Sequence, residues 1–371
     1  MPAGGTKTGI MSIELPWTEA LEAIPVAASA ASLRVAVVIP CYRVAASIER
    51  VVAAIGPEAW RIYCVDDASG GDTPAALARA VAADRRVRVV TRATNGGVGA
   101  AVVDGIRAAL ADDAQVIVKV DGDGQMNPAF VADFVAPIAA GEADYVKGNR
   151  FYSLDAVARM PRGRLVGNAG LSFFAKLSTG YWDLFDPANG YVAIHADVAR
   201  LLPLDKLHPR YFFESDLLFR LATLRARIVE LPLETVYADE TSHLSEWHCL
   251  MVFPLLHARN FAKRILYNYL LRNFSVASLS LFAGLGLAAF GIAFGAAAWA
   301  HGLATGQPAT AGTVMLSALP LLLGVQLLLS FLAHDVALTP TAAIHNRLAS
   351  RRPLTSRRAL SESKESPCSP S

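Results

Sequence analysis

The sequence has few cysteines, no positive excess worth the name, and one long region with no charge at all. Four cysteines (Cys41, Cys64, Cys249, Cys368) form neither a C-x-x-C pair nor a disulfide-framework spacing, which excludes a stapled mini-domain and leaves reduced thiols as the expectation. A net charge of +2 over 371 residues gives no electrostatic footprint for nucleic acid. The first 32 residues carry no apolar core behind a basic start, so no secretory signal is expected there. The charged fraction of 18% is low against about 25% for a soluble domain. The deficit is local: from Ser275 to His334, 60 consecutive residues contain no Asp, Glu, Lys or Arg. A wholly soluble enzyme and a disordered scaffold are both disfavoured.

What is present in that region is membrane-grade. A polar, Pro-containing stretch at 301–311 divides it into 275–300 and 312–333, which as helices reach roughly 39 and 33 Å against a hydrocarbon core of about 30 Å. Arg259, Lys263, Arg264 and Arg272 precede the first span; Arg347, Arg351, Arg352, Arg357 and Arg358 follow the second; the connecting loop has neither Lys nor Arg. The asymmetry places both termini and the globular body in the cytoplasm of a multi-pass inner-membrane protein. Residues 246–274 mix Leu, Phe and Tyr with basic side chains and read as interfacial helices. Residues 1–32 and 335–371 are expected as tails, the second largely disordered.

The body at 33–245 alternates strand and helix. Leu33–Pro40 is a near-continuous apolar run suited to a strand buried on both faces, and Trp60–Val65, Val87–Thr91 and Gln115–Val120 repeat the pattern with helical stretches between them. Four β-α repeats imply a mostly parallel α/β sheet, whose ligands bind beyond the carboxyl ends of the strands. The polar clusters fall at those ends: Tyr42, Asp66 and Asp67, Asn95, then Asp121 to Gln125.

Asp121 and Asp123 flank a glycine, with Gln125 two residues on. Hard oxygen donors in one tight loop suit Mg²⁺ or Mn²⁺ rather than zinc, and the bland alternative is an acidic turn. Asn95-Gly96-Gly97-Val98-Gly99 opens a helix whose free N–H groups can meet an anion, although a close-packing turn accounts for it equally. The histidines show no H-E-x-x-H or paired spacing, and no zinc site is assigned.

Taken in order, VVIPCY, VDDAS, NGGVGAA, VDGDGQ and the two C-terminal spans resemble family 2 glycosyltransferases of the nucleotide-diphospho-sugar (GT-A) fold, in the branch similar to dolichol-phosphate mannose synthases. The resemblance implies that Pro40, Tyr42, Asp66 and Asp67 line the nucleotide, with Asn95 and Asp121 beside them. It implies a metal on Asp121, Asp123 and Gln125, and Asp123 among the catalytic residues. Arg150 matches a family arginine that faces phosphate, and Arg164 is a looser match to a second. Asn189, within D-P-A-N-G, and Glu214 and Asp216 fall on the acceptor side. Arg43 and Val44 stand where the family usually writes Asn and Glu, and 237–243 replaces the late arginine loop of the mannose synthases, which weakens mannose as the sugar.

The reaction implied is transfer of a sugar from a UDP- or GDP-linked donor to a polyprenyl phosphate at the bilayer, by one inverting displacement. The resemblance also allows self-association. A phosphate acceptor is already ionised near neutral pH and needs cations, here Arg150 and Arg164. A lipid hydroxyl, the alternative acceptor, needs a general base, and Asp216 is its candidate. A solvated helix start remains the plain reading of Glu214 and Asp216, and a non-catalytic sugar-nucleotide-binding membrane protein is the remaining alternative.

Overall fold

The computed structural model describes residues 33–152, 162–233 and 246–350. The expected N-terminal tail, the 237–243 segment and the end of the C-terminal tail lie outside the described residues.

Strand β1 (Val35–Cys41) is wholly apolar until its end, and seven strands assemble around it. β2 (Ala59–Asp66), β3 (Val87–Thr91), β4 (Val116–Lys119), β5 (Tyr145–Asn149), β6 (Val192–His195) and β7 (Ile228–Pro232) form one sheet in the order β3-β2-β1-β4-β6-β5-β7. β6 runs antiparallel to both neighbours, and every other pairing is parallel. The carboxyl ends of β1, β2, β4, β5 and β7 therefore open on the same edge.

Alternate residues of β1 feed two cores. Val37 and Ile39 pack with α1 (Ile48–Ala53), α2 (Thr73–Ala83) and α4 (Val131–Ala139) on one face. Ala36 and Val38 pack with α3 (Val98–Ala111), α6 (Ala196–Leu201) and α7 (Phe213–Leu224) on the other. Burial of both faces is what a parallel sheet requires, and it explains the unbroken apolar reading of β1.

Two further helices lie beside this body, α5 (Arg162–Thr179) packing along α8 (Glu246–Ile265). After a π-helical stretch at Leu266–Arg272 come two long apolar helices, α9 (Val276–Thr305) and α10 (Ala311–Ala337), packed against each other. By length and hydropathy both are able to cross a membrane. Each is several residues longer than the spans expected from the absence of charge: α9 runs on to Thr305 before its left-handed cap at Gly306, and α10, capped by Thr310, carries Asp335 in its last turn.

The segment after α10 is not a free tail at its start. Asp144, just before β5, accepts hydrogen bonds from the backbone of Ile344 and His345 at 2.8 and 2.9 Å and meets His345 Nδ1 at 2.8 Å. The His345 ring stacks on His195 with centroids 4.2 Å apart. Helix α11 (His345–Ser350) thus returns to the body.

Candidate active site

The polar residues at the carboxyl edge fall on two sides, those the sequence reading expects at the nucleotide and those it expects at the acceptor. On the first, Asp67 is buried and its two carboxylate oxygens accept from Gly96 N at 2.8 Å and Gly97 N at 2.7 Å, while Arg92 Nε stands 3.0 Å away. The N–H groups that the glycine loop offers to an anion in the sequence reading are thus taken by Asp67. Asn95 is exposed on that loop. Asp66 is buried and accepts from Ser69 N at 3.0 Å, and Tyr42, half exposed beyond Pro40, carries the Arg43 guanidinium 5.2 Å from its ring.

The D-x-D loop leaves β4 between two anchors. Ser47 donates to the Gly122 carbonyl at 2.6 Å, and Gln125 N donates to Asp123 Oδ1 at 2.9 Å. Asp121 Oδ1 meets Lys119 Nζ at 2.7 Å, and Glu214 lies 3.7 Å from the same ammonium. Lys119 is only 4% exposed in the last position of β4. Burial draws its pKa down, but Asp121 and Glu214 outweigh that and hold it above the usual lysine range. Gly190 closes the loop from the other side. A Cβ there would strike Lys119 Nζ and stand 2.7 Å from Asp121 Oδ2, so any larger residue would push that ion pair aside.

The side expected at the acceptor is built from the segment before β6. Arg150 clasps buried Asp186 with Nε at 2.8 Å and Nη2 at 3.0 Å, a two-pronged fork that fixes the plane of the guanidinium. Burial acts to raise the Asp186 carboxyl, yet Arg150 holds it below its ordinary value. Lys147, fully buried in β5, donates to the Asn189 carbonyl, and burial pushes it down to about 8. Glu214, at the start of α7, is raised by burial against the pull of Lys119 and Lys147. The result is two buried lysines and Glu214 gathered under the loop, with Asp121 partly open to solvent above them.

Three residues assigned from the sequence to the acceptor side stand as follows. Asp216, offered as a base, has Oδ2 accepting from His208 N at 3.1 Å and from Arg220 at 3.0 and 3.2 Å, while Oδ1 accepts from Asn260 at 3.2 Å. Two residues along a helix is a rotation of about 200°, so Glu214 faces the sheet edge and Asp216 faces α8. Asn189, assigned to the acceptor, is buried and spends its side chain within its own segment, on Tyr191 N at 2.9 Å and Asp186 at 3.4 Å. Arg164 falls in the first turn of α5, and its side chain lies outside the described residues. Lys119 and Lys147 went unassigned, although a lysine inside an apolar buried strand is itself a signal.

Among the described residues no three His, Cys, Asp or Glu side chains converge closely enough to hold an ion by themselves. Two carboxylates on one tight loop, Asp121 partly open to solvent, match the donor set of a hard cation that completes its shell with phosphate and water.

A mostly parallel sheet with an acidic loop at its carboxyl edge, a glycine turn clasped by an aspartate and an arginine beside them define a glycosyltransferase of GT-A fold. The family model for Glycosyl transferase family 2 matches residues 36–202. An undecaprenyl-phosphate mannosyltransferase of Micrococcus luteus is 31% identical over 211 residues, 55% of this chain and 84% of the relative. A UDP-N-acetylglucosamine–dolichyl-phosphate N-acetylglucosaminyltransferase of Methanococcus voltae is 30% identical over 154 residues, 42% of this chain and 61% of the relative. The chain belongs to glycosyl transferase family 2. Among solved structures, glucosyl-3-phosphoglycerate synthase from Mycobacterium tuberculosis, in complex with Mn²⁺, UDP and its product, superposes with a TM-score of 0.49 at 21% identity, covering 64% of this chain and 82% of that one.

Proposed function

We propose that this glycosyltransferase is anchored by its two apolar helices and moves one sugar from a UDP- or GDP-linked donor to a polyprenyl phosphate at the cytoplasmic face of a membrane. The observation that carries the reading is an exposed apolar row beside the catalytic body. Phe173 and Phe174 on α5, Leu255 on α8, and Leu266, Leu271 and Phe274 leading to α9 are all open, in a region rich in Arg and Lys. Such a row beside two candidate spans suits a layer lying at the headgroups, from which a lipid acceptor reaches the site. The names of the Micrococcus and Methanococcus relatives support the acceptor class.

The chain's own groups divide the work. Asp67 holds the glycine loop closed beside Asp66 and Tyr42, shaping a cleft for the nucleotide. Asp121 and Asp123 would hold Mg²⁺ or Mn²⁺, which when bound supplies charge to the leaving diphosphate. Lys119 pairs with Asp121 at 2.7 Å and aims its carboxylate. Arg150, fixed by Asp186, presents positive charge toward the acceptor phosphate, which is its own nucleophile and needs no base.

A lipid hydroxyl acceptor has one observation in its favour, the raised carboxyl of Glu214. Initial rates with undecaprenyl phosphate, undecaprenol and diacylglycerol as acceptors separate the two. Transfer confined to the phosphate is expected, and equal transfer to undecaprenol overturns the reading.

A further inference from the structure

A second cleft lies on the far side of the molecule from the D-x-D loop. Arg225 stands three residues before β7, and Asp121 stands two residues after β4. β6 is antiparallel to both β4 and β5, and β7 is parallel to β5, so β4 and β7 run in the same direction and the start of one and the end of the other lie at opposite edges of the sheet. Helix α5 spans the separation: its 18 residues cover roughly 27 Å, from the segment after Arg150 to Thr179, which lines this cleft.

The cleft of ≈ 530 Å³, its open mouth included, sits where the apolar helices begin and end. Asn273 and Ser275 immediately precede α9, and His334 closes the last turn of α10; all three line it. If α9 and α10 span, this is the level of the lipid headgroups.

Its chemistry is unbalanced in a specific way. Arg264 also lines the cleft, with both Nη atoms engaged by Asp335 and Leu177, but its buried Nε has no hydrogen-bond partner among the described residues. Asn268 Oδ1, on the same lining, is likewise buried without one. Arg225 is exposed at the left-handed C-terminal position of α7, φ 58°, and its side chain makes no hydrogen bond or ion pair with a described residue. A donor lacking an acceptor, an acceptor lacking a donor and an uncompensated guanidinium together fit an anion that also carries a hydroxyl or amine. Because Asp335 already neutralises Arg264, the charge left for a ligand is that of Arg225.

We propose that this cleft binds the phosphate of a membrane phospholipid headgroup, at a site separate from the acceptor site and seated between the catalytic body and the hairpin. The inference rests on the membrane-anchoring part of the proposed function. Vesicle flotation of the full chain reads that part independently of Arg225.

The experiment is native mass spectrometry of the full chain in detergent, titrated with phosphatidylglycerol, phosphatidylcholine or inorganic phosphate. It is run on the unaltered protein, Arg225→Gln and Arg225→Lys, with thermal unfolding as the check on folding. One phosphatidylglycerol is expected to bind preferentially. Arg225→Gln should weaken it ten-fold or more at unchanged flotation, and Arg225→Lys should recover part of the loss. Equal binding by the unaltered protein and Arg225→Gln overturns the site. Binding of inorganic phosphate alone, or displacement of the phospholipid by undecaprenyl phosphate, overturns the assignment to a headgroup separate from the acceptor. Failure to float with vesicles would instead strike the anchoring.

Discussion

Arg264 of α8 and Asp335 of α10 pair at 2.7 and 3.0 Å in a site where each side chain is only 3% exposed, joining the catalytic layer to the second apolar helix. Trp182 Nε1 at 2.8 Å and the Tyr269 hydroxyl also donate to that carboxylate. Gly180 makes room for the guanidinium: its φ is +80°, and a Cβ there would stand 2.6 Å from Arg264 Nη1. Arg264→Met should leave Asp335 buried without its cation and cost about 3–5 kcal/mol, the range for breaking a buried pair from one side. Thermal unfolding of the solubilised full chain measures it, and an unchanged midpoint would count against the pair as the joint.

The acidic pair on α7 separates structure from chemistry. Asp216→Asn should lower stability by about 1.5–3 kcal/mol through loss of its charged bond to Arg220, while turnover per folded molecule stays within a few fold. Glu214→Gln should cut turnover, because Glu214 faces Lys119 and Lys147, but by less than the 10²–10⁴-fold that removal of a general base produces. Unfolding curves and initial rates on the same preparations decide it. Asp216→Asn folded normally and inactive would restore Asp216 as the base.

Activity should require Mg²⁺ or Mn²⁺ and vanish in chelator. Asp123→Asn should lose most turnover and also weaken direct Mn²⁺ binding followed by its electron paramagnetic signal. Full activity of that variant in excess chelator would remove the metal from the D-x-D loop.

Acid should loosen the contact between α5 and α8. His257 meets Ser178 Oγ at 2.8 Å through Nδ1, and burial lowers its pKa to about 4 from an ordinary 6.5. Between those values the unfolded chain holds more protons on this residue than the folded one, so stability falls as pH drops from 6.5 toward 4, by up to roughly 3 kcal/mol from this group. The loss should be absent in His257→Gln. Identical pH profiles for the two proteins, by chemical unfolding, would contradict it.

Much of this architecture is legible in the sequence because each feature is locally determined. Leu33–Pro40 reads as a buried parallel strand since both its faces are covered, and the D-x-D follows the fourth such run directly. The antiparallel β6 is not legible: four residues, VAIH, are too short for any period, and their direction is set by the pairing with β4 and β5. Which of Glu214 and Asp216 faces the site depends on the phase of α7 against the sheet, fixed by packing rather than by residue type. Arg264 and Asp335 are 71 positions apart, and nothing local links them. Lys119 and Lys147 stood in plain view as charges within apolar strands, and that pattern could have placed them in the site before the fold was known.

The most direct measurement is the mass of the lipid made by the full chain in membrane vesicles supplied with a panel of UDP- and GDP-sugars together with undecaprenyl phosphate and diacylglycerol. The account expects one donor to give undecaprenyl phosphate heavier by a single sugar residue, with release of the matching nucleoside diphosphate. A sugar found on diacylglycerol, with undecaprenyl phosphate unaltered under every donor, would contradict it.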